Sequence, residues 1–187
     1  SLWRAPLAGL IAVGAMTLIM YIIGRLNIAE SDMIRAVGSM ATGKIENAFK
    51  VGIIIQITMG ILFTFAYGYI FKLFPEELWI HIPFFGFLGG FCHGFCVSWA
   101  VATIVSDYHP LKRFQRPKLE ESFAHTLGHI VFGSVLGTLY LWTKPMGGEN
   151  LIELISSSSK YFVGIFLVSA LSTTVAYKLH KANKTSH

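Results

Sequence analysis

The chain has 187 residues, of which 53% are hydrophobic and 13% charged. Soluble domains carry about 25% charged residues, so this composition, with a mean hydropathy of +0.58, excludes a disordered chain and an ordinary soluble enzyme. The net charge of +5 does not point to nucleic acid, because the basic residues fall between apolar segments and not along one face. Such an excess reports membrane orientation and contact with anionic lipid.

A membrane-crossing helix needs about 20 mostly apolar residues. Five segments meet or approach that length: residues 5–24, 48–71, 78–105, 122–142 and 161–177. The last is short, but Lys160 and Lys178 bracket it and can snorkel to the interface. The first is closed by Arg25 and holds no small-residue cleavage pattern, so it is expected to stay as a helix and not to be removed as a signal peptide. Between the first two spans, Met33, Val37, Met40 and Ala41, with Ile34 beside them, recur at helical spacing. They predict an interfacial amphipathic helix over residues 32–43. The segment 107–121 holds Pro110 and Pro117 among basic residues and predicts an extended link. Leu151, Ile152 and Ile155 make a weaker amphipathic stretch before a serine-rich hinge at 156–159. The expected fold is all-α: one polytopic membrane domain over residues 1–187, with five transmembrane helices and a short cytoplasmic interfacial helix.

Five spans place eleven of the fifteen Lys and Arg residues on one side, leaving Arg4, Lys72, Lys144 and Lys160 on the other. The positive-inside rule then puts the N-terminus outside and the C-terminus in the cytoplasm. Trp3, Trp79 and Trp142 fall at the outer edge, where indole rings prefer to sit. The expected location is a bacterial or archaeal cytoplasmic membrane.

Small residues recur every fourth position in the third span, at Gly86, Gly90, Gly94, Ser98 and Ala102. The second span carries Gly52, Gly60 and Gly68, with Gln56 and Thr64 on the same stripe, and the fourth carries Gly133 and Gly137. In lipid, small residues let helix backbones approach closely. The second, third and fourth spans are therefore expected to form a tight bundle, with the 15 phenylalanines turned to lipid or to a partner.

No Asp, Glu, Lys or Arg lies in the core of any span, which argues against a voltage sensor or a carboxylate-driven pump. The intramembrane polar residues are Gln56, the pair His93 and Cys96, and the pair His125 and His129. Spacings of three and four put each pair on one helix face. Three imidazoles and a thiol form an acceptable ligand set for zinc or copper. Haem b would force the helices apart where the glycines ask for contact. The bland alternative is that the histidines bond to backbone carbonyls or to Gln56. His81 and His109, at span ends, are expected to be solvated.

The stretch "AESDMIRAVGSMATG" after the first span, the glycine-striped second span and "GHIVFGSVLGTLY" in the fourth resemble a family of small uncharacterised bacterial and archaeal four-helix integral membrane proteins, over residues 7–140. The resemblance implies architecture and transfers no catalytic residue. The fifth span departs from its pattern.

No nucleophile arrangement, carboxylate pair or phosphate loop marks an enzyme. The leading expectation is a non-catalytic accessory subunit of a larger integral membrane complex, respiratory, photosynthetic or oxygenase in type. Its partners would be other membrane subunits and lipids, with no cofactor. The alternatives are a metal- or haem-binding membrane protein and a small channel or carrier.

Overall fold

The computed structural model describes residues 4–29 and 32–142. They form α1 (Arg4–Arg25), α2 (Met33–Thr42), α3 (Ala48–Lys72), α4 (Ile82–Tyr108) and α5 (Leu119–Trp142), with 3-10 turns at Glu76–His81 and Lys112–Phe114. There is no strand among the described residues. The helices other than α2, four in all, are long and apolar enough to cross a membrane. The fifth span expected at 161–177, the weak helix at 150–155 and the serine hinge lie outside the described residues.

Local chemistry sets the ends. Proline at the second position of α4 starts the helix without wasting a donor, so residues before Ile82 form a 3-10 turn and not the helix expected from residue 78. At its other end α4 runs on to Tyr108, where His109 turns extended ahead of Pro110. Gly43, at φ 70°, closes α2 in the left-handed region, and its N–H donates to the Ser39 carbonyl at 2.8 Å.

Helix α5 is central: 61% of its apolar window is buried, against 22% for α3 and α4. The hydroxyls of Thr126, Ser134 and Thr138 suit that position because they turn back on their own helix. Thr126 donates to the Ser122 carbonyl at 2.9 Å and Ser134 to the Ile130 carbonyl at 2.7 Å. Helix α4 lies along one side of α5, α1 packs on another side of α5 and on α3, and α2 packs on α3.

The glycines show which helices touch. A methyl group at Gly86 would overlap the Gly133 carbonyl, and one at Gly133 would overlap the Gly86 carbonyl. Gly90 and Gly94 lie in the same way against His129, and Gly137 lies against Ile82 and Pro83. This seam is the contact expected between the third and fourth spans. The stripe on α3 does something else: Gly52 abuts the Ile34 backbone of α2, Gly60 abuts Val13 of α1, and Gly68 has nothing within 4 Å. The expected tight triple bundle of α3, α4 and α5 is therefore corrected. The backbones of α3 and α4 scarcely approach, and the two helices meet through side chains such as the Phe63–His93 ring contact at 4.1 Å.

Helix α2 is amphipathic as expected, but its buried positions are Met33, Ala36, Gly38 and Ser39, with Ala41 exposed. It is tied to the α4–α5 connection. Arg113 donates to the Asp32 carboxylate at 3.2 Å, and Phe114 is buried with Met33, Ala36 and Val105. That connection is compact, not extended. Gln115 donates to the His109 carbonyl at 2.7 Å and Ser106 to the Gln115 carbonyl at 3.3 Å. The α1–α3 and α4–α5 connections thus share one end of the bundle.

Candidate functional site: an intramembrane histidine cavity

Because α3 and α4 stand apart, with α1 packed on α3 and α5 and α4 packed on α5, a cavity of about 240 Å³ is left between the four long helices, with α2 against one end. Its walls are apolar: Val13, Met16 and Met20 from α1, Met59, Gly60 and Phe63 from α3, Val97 and Val101 from α4, and Phe132 from α5. Met33, Ile34 and Val37 of α2 form its floor. The polar lining residues are Gln56, His93, His125 and His129.

The α4–α5 seam positions the histidines. Gly94 allows the His129 Cβ to lie directly against α4. The His93 and His129 rings meet edge to face with centroids 4.7 Å apart, and His125 and His129 repeat that separation one turn along α5. On α1, Met16 and Met20 come close beside Gly128, the neighbour of His129, where a methyl group would sit 3.1 Å from the Met16 Cγ. Phe63 of α3 covers His93 at 4.1 Å.

Each end of the histidine row has one protein partner. The Tyr67 hydroxyl, on a buried side chain, lies a long 3.5 Å from His93 Nδ1. Ser98 Oγ lies 3.2 Å from His125 Nδ1. Between them, His93 Nε2 and both ring nitrogens of His129 are buried without a hydrogen-bond partner among the described residues. His129 is 8% exposed. Most buried polar groups are bonded, and an orphan costs about 1–3 kcal/mol. Three such atoms in two touching rings mark this spot as a site.

Several expectations are corrected here. Cys96 is exposed on the outer face of α4 and does not join His93, His125 and His129. At 100° per residue it lies about 200° round the helix from Gly94, which is the side away from α5. No three His, Cys, Asp or Glu side chains converge as a metal-ligand group among the described residues. The cavity is also below the ~300–1,000 Å³ of drug-sized ligand sites, which is too little for haem. Gln56 does not serve the histidines: its Nε2 donates to Thr17 Oγ1 at 3.0 Å, and Thr17 donates to the Val13 carbonyl at 2.7 Å.

His109, expected to be solvated, is 1% exposed. Its Nδ1 accepts the Leu111 N–H at 2.9 Å, which leaves the ring hydrogen on Nε2. That N–H is shared between the Ala36 carbonyl at 2.9 Å and Ser39 Oγ at 3.2 Å. His109 therefore fastens the α2 floor to α4. The only sequence signal for it was Ser39, a hydroxyl near the apolar face of a short amphipathic helix.

Comparison with protein-family models, with curated proteins and with solved structures gives no match.

Proposed function

We propose that this protein is a non-enzymatic membrane protein that binds a small lipophilic molecule bearing a hydrogen-bonding group, inside the bilayer, at the histidine cavity. The observation that carries this reading is His129, buried on the cavity wall with neither ring nitrogen bonded. A structural glue histidine would have a carbonyl or hydroxyl partner, as His109 has. An otherwise apolar lining with a few convergent polar groups is the usual make-up of a small-molecule site. The gap between α3 and α4 supplies a route from the lipid.

On this reading the end of the bundle with the basic connections, around α2 and between α4 and α5, faces the cytoplasm, as the positive-inside rule favours, and the cavity lies in the cytoplasmic half of a bacterial or archaeal membrane. Anionic lipid headgroups would lie against them.

The accessory-subunit reading keeps one observation in its favour. The outer face of α4 presents exposed Phe84, Phe91 and Phe95, with Phe91 and Phe95 stacked at 6.3 Å. This rigid aromatic ridge suits a neighbouring transmembrane helix. Co-purification with stoichiometric membrane subunits from the native membrane would support it, and a lone monodisperse chain would count against it.

The binding reading is tested with 1-naphthol, a fluorescent ring with one hydroxyl, and purified protein in lipid nanodiscs. Saturable binding of one molecule per chain is expected, lost when Val97→Trp fills the cavity. Binding that does not saturate, or that Val97→Trp leaves unchanged, would contradict it.

A further inference from the structure

We propose that the molecule held here is a membrane quinone: a flat ring carrying carbonyl oxygens, bound by His93 and His129, with its alkyl tail passing out between α3 and α4. The inference rests on the cavity being a binding site and adds the class of ligand.

Hydrogen-bond polarity selects the carbonyl. The buried Tyr67 hydroxyl needs an acceptor and has His93 Nδ1, so the hydrogen of the His93 ring sits on Nε2. Nε2–H is then a donor with no acceptor among the described residues. His129 supplies a second donor, since a neutral imidazole always carries one N–H and neither of its nitrogens is engaged. The two rings thus offer two unspent donors and, at the second nitrogen of His129, one acceptor, so donors outnumber acceptors and favour a ligand with two acceptor atoms. A quinone ring has acceptors at opposite ends, one for each of these donors.

The walls select a flat ring. Phe63 lies 4.1 Å from the His93 ring, Phe132 lines the cavity about one turn along α5 from His129, and Met16, Met20 and Met59 add flexible thioethers that pack well against ring edges and faces. A volume of about 240 Å³ admits one ring system and excludes a porphyrin or a folded acyl chain. An acyl chain would in any case leave both donors unsatisfied, and a bare cation finds no converging ligands among the described residues.

The opening accommodates the tail. Met59 on α3 is 44% exposed, and across the gap Val97 and Val101 of α4 are half-buried. A chain leaving the cavity here enters lipid directly. Ring entry exchanges the His93–His129 edge contact for bonds to the ligand by rotation of the His129 ring about its soft terminal torsion, while His93 keeps its contact with Tyr67.

The test compares decylubiquinone, decylbenzene and 1-decanol binding to the full chain in nanodiscs, by equilibrium retention. Decylubiquinone is expected to saturate at one molecule per chain and to bind at least about tenfold more tightly than the other two, roughly one net hydrogen bond. His129→Phe and His93→Leu should each remove that preference while leaving decylbenzene unaffected. Either variant suffices if the other fails to fold, and the wild-type preference is informative alone. Equal binding of all three ligands, a preference for 1-decanol, or indifference to both substitutions overturns the quinone assignment and leaves the 1-naphthol result standing. Absence of binding by all three, together with failure of 1-naphthol, overturns the cavity reading as well.

Discussion

His93 on α4 and His129 on α5 meet with ring centroids 4.7 Å apart and planes inclined at 63°. They do so because Gly90 and Gly94 let the two helix backbones touch at that level. A close backbone seam between α4 and α5 thus runs beside the histidine row, and the packing of α4 on α5 fixes the geometry of the site.

Gly86→Ala and Gly133→Ala should each lower the thermal midpoint, because the added methyl group overlaps a carbonyl of the facing helix. The expected cost is about 1–3 kcal/mol. Gly68→Ala, with nothing within 4 Å, is the internal control and should be neutral or slightly stabilising. Thermal melting in detergent reads all three, and equal effects would mean that the α4–α5 seam is misplaced.

His109→Ala should loosen α2. It removes the acceptor of the Leu111 N–H and the donor to Ala36, at an expected cost of about 1–3 kcal/mol for groups left unpaired. Hydrogen exchange should accelerate across residues 33–42 far more than across α5. His81→Ala, at the other end of α4, should leave exchange across residues 33–42 unchanged. Protection of α2 unchanged by His109→Ala would show that the latch does not hold it.

Lys44→Cys and Lys112→Cys should respond alike to a membrane-impermeant thiol reagent in intact cells, both protected, while Glu76→Cys should be labelled. All three positions are exposed, and the first two share one end of the bundle. The background for this experiment is a chain with Cys92 and Cys96 replaced. Labelling of Lys112→Cys from outside would reverse the orientation.

Cys96→Ser should alter neither stability by more than about 0.5 kcal/mol nor the affinity for 1-naphthol, because the thiol lies on the outer face of α4. A large loss of binding in this variant would bring Cys96 back into the site.

Much of this fold was legible in one dimension. Length of apolar run sets a membrane helix, and the first four expected spans match α1, α3, α4 and α5 to within four residues at either end. The amphipathic α2 was legible from the helical spacing of its apolar residues. Partner choice was not. Gly52 and Gly86 carry the same small-residue signal, yet one abuts α2 and the other α5, because the pattern records close approach and not the identity of the neighbour. The histidine row was legible as a cluster, but Cys96 was misassigned to it. Its spacing of three from His93 satisfies a shared-face rule, while the contact stripe through Gly94 decides which of the two side chains turns inward. His109 escaped because its burial comes from α2, a separate element folded beneath it.

The most direct measurement is the histidine side-chain 15N spectrum of the protein in lipid, recorded with and without saturating 1-naphthol. His93 and His129 should shift on binding, as their unbonded nitrogens gain a partner, while His109, already bonded at both nitrogens, stays fixed as an internal reference. A spectrum in which His93 and His129 do not move, or in which His109 moves with them, would contradict an intramembrane binding site built on these two rings.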